Sequence, residues 1–73
     1  MNQSPLKDYT PQLQELMQKV GVSNFKALGR LAGVSQKQIA RLRRGEVMLM
    51  QVNTVLKLSQ ALQLPLNELL AAF

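Results

Sequence analysis

Seventy-three residues make one small domain, below the roughly 100–200 residues usual for one, so a second domain is excluded. The sequence has no Cys and no His, which excludes disulfides, Cys/His zinc sites, thiol nucleophiles and any His-based triad. Nine Lys and Arg stand against four Asp and Glu, a net charge of +5, so the partner to expect is a polyanion. The apolar fraction of 47 % is that of a globular chain. No apolar run approaches the roughly 18 residues of a membrane helix, and Met1-Asn2-Gln3-Ser4-Pro5 is no signal peptide. A soluble cytoplasmic protein is the expectation.

Residues 1–9 show no sustained period and carry Pro5, which reads as a flexible N-terminal arm. The domain proper is expected over residues 10–73. Thr10-Pro11 reads as a cap followed by Pro at the first helical position. Leu13, Leu16, Met17 and Val20 then form one apolar stripe, and Gly21 ends a helix over 11–20. Ser23 or Asn24 caps the next helix, 25–32, whose inner face carries Phe25, Leu28, Gly29 and Ala32. The small residues Gly29 and Ala32 suggest a close, steep crossing with another helix. Gly33-Val34-Ser35 is a stop, an apolar plug and a cap. A helix over 36–44 follows and ends at Gly45, with Ile39 and Leu42 as its inward stripe. At 100° per residue its other face carries Lys37, Ala40, Arg41 and Arg44, with Gln36 in the first turn.

The linker Glu46-Val47-Met48-Leu49-Met50 is unusually apolar and suits either core cover or a contact surface. A helix from about Gln51 should bury Val52, Val55, Leu56, Ser59 and Leu62, with Leu58 flanking them. Leu64-Pro65 breaks the chain before a last short helix, 66–72, with Leu66, Leu69, Leu70 and Phe73. No strand alternation or repeat is present. The fold class expected is all-α, with five short helices.

The charge is unevenly placed. No acid lies between Leu16 and Gly45, whereas Lys19, Lys26, Arg30, Lys37, Arg41, Arg43 and Arg44 all do. A segment of one sign fits nucleic acid first and an anionic membrane second, and an ordinary solvated basic face formed by Lys37, Arg41 and Arg44 is the alternative. The membrane reading fails on shape, because the basic helix over 36–44 has only two large apolar residues and needs both inside. Catalysis has no support: Ser23 and Ser35 lack a His or acidic partner, Tyr9 stands alone, and no Gly-rich phosphate loop is present. No enzyme, metal site, cofactor or small-molecule substrate is expected.

The run Leu28-Gly29-Arg30-Leu31-Ala32-Gly33-Val34-Ser35-Gln36-Lys37-Gln38-Ile39-Ala40-Arg41-Leu42-Arg43-Arg44-Gly45 resembles the Cro/C1-type (XRE-like) helix-turn-helix family, whose pattern is L-A-x-x-x-G-V-S-x-x-x-I-x-x-x-E-x-G. The run Leu56-Lys57-Leu58-Ser59-Gln60-Ala61-Leu62 and then Leu66-Asn67-Glu68-Leu69-Leu70 is similar to the family's ending. The resemblance implies a lambda-repressor-like domain over about residues 10–70 that binds double-stranded DNA as a transcription regulator, bacterial or phage-type, and as a homodimer. It implies a recognition helix from Ser35 to Arg44 with base-reading positions at Gln36, Lys37 and Arg41. Arg and Lys suit guanine O6/N7, Gln suits adenine N6/N7, and Ala40 suits a thymine methyl. Lys26, Ser35, Arg43 and Arg44 are phosphate candidates.

Three positions depart from the family pattern. Phe25 stands where the family usually has a phosphate-contacting Gln. Arg43 replaces a Glu that often pairs with an Arg of the first helix, so a reversed pair with Glu15 is one alternative and a solvated or phosphate-facing Arg43 the other. The loop after the recognition helix is apolar and one residue longer. A weaker resemblance links the Met-rich loop and the Leu-rich ending to N-terminal segments that precede a GrpE-type domain. That likeness implies a protein-interaction or dimerisation domain that keeps the fold without DNA binding, its surface formed by Val47, Met48, Leu49, Met50, Leu69 and Phe73. The end of the chain in mid-helix, at Leu70-Ala71-Ala72-Phe73, suits either a very small protein or a piece of a longer one.

Overall fold

The computed structural model describes residues 8–73, and these form five α-helices and no strand. In chain order they are α1 (Thr10–Lys19), α2 (Phe25–Ala32), α3 (Gln36–Arg43), a single 3₁₀ turn (Val47–Leu49), α4 (Val52–Ala61) and α5 (Leu66–Ala72). α2 packs against both α3 and α4, and α4 packs against α5. Of the arm expected over residues 1–9, residues 1–7 lie outside the described residues. Asp8 and Tyr9 are part of the fold: the Tyr9 N–H donates to the Arg43 carbonyl at 2.7 Å, and its ring lies 5.7 Å from that of Phe73.

The start of α1 differs from the expectation in one detail. The helix begins at Thr10, and Asp8 Oδ1 accepts the Thr10 N–H at 3.0 Å. The Thr10 hydroxyl is thereby released from capping and accepts from Arg43 Nε at 3.0 Å. Asn24, not Ser23, caps α2, its Oδ1 accepting the Ala27 N–H at 2.7 Å. Ser35 caps α3 through the Gln38 N–H. These caps satisfy backbone donors that each helix start leaves without a partner, at about 1 kcal/mol each.

One core runs through all five helices. Leu13, Met17, Leu28, Ile39, Leu42, Val47, Met50, Val55, Leu58, Leu62 and Leu69 are buried. The stripe on α4 is rotated from the expected one. Val55, Leu58, Ser59 and Leu62 point inward at the i, i+3, i+4, i+7 spacing, while Val52 is 73 % exposed and Leu56 39 %. Val52 opens the first turn of the helix and projects past the body of the domain. Leu56 stands 100° round from Val55, on the shoulder of the buried face. Ser59 is tolerated inside because its hydroxyl donates to the Leu56 carbonyl at 2.7 Å.

The ends of α1, α3 and α4 close in the same left-handed way, the first two on Gly21 and Gly45 and the last on Gln63. After α3, the Glu46 N–H reaches the Arg41 carbonyl at 3.0 Å and the Gly45 N–H reaches that of Leu42 at 2.9 Å, with Gly45 at φ 73°. A side chain at Gly45 would also run into the Tyr9 ring, so this glycine serves both φ and space. After α4, the Leu64 N–H reaches Ser59 and the Gln63 N–H reaches Gln60, with Gln63 at φ 57°. The left-handed conformation costs a non-glycine residue roughly 1–2 kcal/mol, a cost of the same order as the roughly 0.5–1.5 kcal/mol that each of the two closing bonds contributes.

Candidate nucleic-acid interface

The turn between α2 and α3 fixes the pose of α3. Gly33, at φ 74°, ends α2, and the Val34 N–H returns to the Gly29 carbonyl at 3.0 Å. At Gly29 the close neighbours are the first side chain of α3 and the backbone of the turn before it. A Cβ there would sit 2.5 Å from Gln36 Nε2, at the start of α3, and 3.0 Å from the Val34 carbonyl oxygen in the turn. The Gln36 amide fills that space and donates to the Phe25 carbonyl at 3.0 Å. Its Nε2 is therefore committed to bracing α2 against α3, not free for a base. The side chain remains exposed and keeps its Oε1.

Ile39 and Leu42 are buried at 1 % and 0 % exposure, and this turns the opposite face of α3 outward. Lys37 is exposed, and Ala40 and Arg41 are half-buried. Lys26 in the first turn of α2, Ser35 at the α3 cap, and Arg44 after the last turn of α3 are also exposed. The first turn of α3 carries free N–H groups and the positive end of the helix dipole.

Arg43 is the main departure among the expected phosphate contacts. Its guanidinium lies 4.4 Å from the centroid of the Phe25 ring, and its Nε donates to Thr10. The side chain is half-buried and links α3 to α1 and α2. Glu15 does not pair with it; the Thr10 hydroxyl and the Phe25 face take that place. This also accounts for Phe25, whose ring serves as a platform for a cation within the fold. The Asp8 carboxyl is held below the usual carboxylate range by hydrogen bonds from the Thr10 side chain and backbone, with a smaller contribution from the charge of Arg43.

Glu46 gathers the cations at the end of α3. Arg44 donates from Nε to Oε2 at 3.0 Å and from Nη2 to Oε1 at 3.3 Å, and Arg41 Nη1 lies 3.8 Å from Oε1. The Arg44 hydrogen bond, followed by the charges of Arg44 and Arg41, lowers the Glu46 carboxyl, and Glu46 in turn raises the Arg44 guanidinium.

The loop and the C-terminal residues divide between core and surface. Val47, Met50 and Leu69 are buried, so they are core and not an exposed contact surface. Phe73 is half-buried against Tyr9. Met48 and Leu49 remain outward, at 83 % and 74 % exposure. The 3₁₀ turn produces this split: Val47 at its start and Met50 just past its end point inward, and Met48 and Leu49 between them point out. Val47, Met48, Met50, Val52, Val55, Leu66 and Leu70 line an apolar groove of about 170 Å³.

Sequence reasoning missed Tyr9, Thr10 and the bracing role of Gln36. Each acts on a residue distant along the chain, and spacing carries no signal of that. Among the described residues, no three His, Cys, Asp or Glu gather to hold a metal ion, and no helix is long and apolar enough to cross a membrane.

No curated protein and no solved structure matches the chain. The model of the Cro/C1-type HTH DNA-binding domain matches residues 12–72, from within α1 to the end of α5. The match does not extend to any GrpE-type segment. With the braced turn, the capped basic helix and a family match that takes in all five helices, the chain belongs to the Cro/C1-type helix-turn-helix family of DNA-binding domains.

Proposed function

We propose that the domain reads double-stranded DNA by sequence, laying α3 in the major groove, as the DNA-binding part of a bacterial or phage-type transcription regulator in the cytoplasm. The observation that carries this reading is the outward face of α3, with Lys37, Ala40 and Arg41 opposite the buried Ile39 and Leu42. Lys37 and Arg41 take the guanine-reading roles, and Ala40 lies against a thymine methyl. Lys26, Ser35 and Arg44 contact phosphates and set the register. Gln36 contributes to bases only through its Oε1, and Arg43 holds α3 in place.

Two copies bind together. A helix this short reads only a few base pairs, and helix-turn-helix dimers dock on half-sites about 34–36 Å apart. The exposed Met48, Leu49 and Val52 beside the apolar groove favour assembly of two copies through this side. The same surface supports the second reading, a protein-interaction domain without a DNA role.

Titration of a labelled random-sequence duplex pool at two salt concentrations tests the proposal. Binding should weaken with a log–log slope of about −3 to −4 per copy. Lys37→Glu with Arg41→Glu should abolish DNA binding and leave assembly intact, whereas Met48→Ser should act on assembly. A wild-type domain that binds no duplex at low salt overturns the DNA reading.

A further inference from the structure

Both ion pairs among the described residues converge on one carboxylate, that of Glu46. It is the first acid after a stretch, residues 16–45, that holds seven cations and no acid. Its position is unfavourable for the helix it follows, because an acid beside a helix C-terminus opposes the dipole. Nor does the pairing serve stability to any extent, since exposed pairs contribute about 0–1 kcal/mol at most. The side chains of Arg41, Arg44 and Glu46 are 34 %, 54 % and 32 % exposed, at the end of the face assigned to DNA. Arg44 presents Nε and Nη2 to Glu46, and that is the edge of the guanidinium fork that would otherwise grip a phosphate.

We infer that Glu46 is a specificity-determining residue: its carboxylate competes with DNA phosphates for Arg44, and so suppresses non-specific binding more than site-specific binding. The inference rests on the DNA reading given above. Non-specific attraction is almost wholly electrostatic, so it bears the full effect of the competing charge. At the correct site, base contacts add affinity that Glu46 diminishes less: no ion pair joins it to Lys37, and Arg41 Nη1 stands 3.8 Å from its carboxylate against 3.0 Å for Arg44 Nε. A phosphate facing Arg44 must displace the carboxylate and tolerate its charge.

Glu46→Gln keeps the shape and removes the charge, and Glu46→Asp keeps the charge. The backbone bond from the residue 46 N–H to Arg41 is available to both, and melting curves check the fold. The probes are a random-sequence duplex and the best duplex selected from a random pool, each over a salt series. Glu46→Gln should bind the random duplex about tenfold tighter at low salt, with a slope steeper by about 1. Its ratio of selected to random affinity should fall several-fold, and Glu46→Asp should stay near wild type. A residue that merely oriented Arg44 would give the opposite sign, weaker binding in Glu46→Gln. If wild type binds DNA and Glu46→Gln binds no tighter, or if Glu46→Asp behaves as Glu46→Gln, this inference alone is overturned. If neither wild type nor variant binds any duplex, it falls together with the DNA reading.

Discussion

The chain turns at both ends of α3, and the side chains that hold the two connections differ in kind. Before α3, the turn is polar and tightly specified: Ser35 caps, Gln36 ties back to Phe25, and Gly29 leaves room for nothing but the Gln36 amide. After α3, Gly45 closes the helix through backbone bonds and against the Tyr9 ring, and the 3₁₀ turn that follows has no side-chain cap and is held by burial of Val47 and Met50. Hydrogen bonds and excluded volume fix an angle closely, whereas apolar burial is non-directional and tolerates shifts. The rigid joint lies at the N-terminal end of α3, the helix assigned to DNA. The tolerant joint lies where surface is left over.

The comparison can be broken first at Gly29. Gly29→Val places branched carbons against the Val34 carbonyl and displaces the Gln36 amide, and should cost about 3 kcal/mol, read by chemical denaturation. DNA binding should suffer even where the fold survives, because the angle between α2 and α3 changes. The 3₁₀ turn of the second connection is expected to respond to buried volume. Met50→Ala should cost about 2 kcal/mol, while Met48→Ala, at an exposed neighbour two residues away, should stay within about 0.5 kcal/mol. Equal losses at Met48 and Met50 would remove the distinction drawn here between core and surface in the 3₁₀ turn.

Arg43 sharpens the contrast from the side of α3 itself. Arg43→Ala loses the Thr10 hydrogen bond and the Phe25 stacking, and should cost about 1 kcal/mol of stability. Its effect on the salt dependence of DNA binding should be smaller than that of Arg44→Ala, which removes an exposed cation. The smallest effect concerns pH. The Asp8 carboxyl titrates below the usual range in the folded state, so its contribution to stability is complete above the unfolded carboxylate range. It is lost as pH falls through the folded value. The difference in melting temperature between wild type and Asp8→Asn should therefore be present at neutral pH and shrink in acid.

Much of the fold was legible because its signals are local. Asn24, Ser35 and Gly45 mark helix ends, and the spacing of Ile39 and Leu42 orients α3 without any knowledge of its neighbours. Local patterns failed where two answers fitted one stretch. On α4, the series 52, 55, 56, 59 and the series 55, 58, 59, 62 are both plausible stripes, and the packing of α2 and α5 on α4 decides between them. At the site, the outward face was readable and the commitments of its members were not. Gln36 meets a carbonyl eleven residues away and Arg43 a hydroxyl thirty-three away. Glu46 lay outside the helix that the charge pattern singled out, although it touches two of its cations.

The placement of Tyr9 has a practical consequence. It is the single tyrosine in a sequence without tryptophan. Its ring lies beside Gly45 and Phe73, and its N–H holds the last carbonyl of α3. The native chain therefore carries its own fluorophore at the foot of the helix assigned to DNA. Emission from that ring reports on whether the beginning of the fold, the end of α3 and the end of α5 are still joined, with no dye and no substitution.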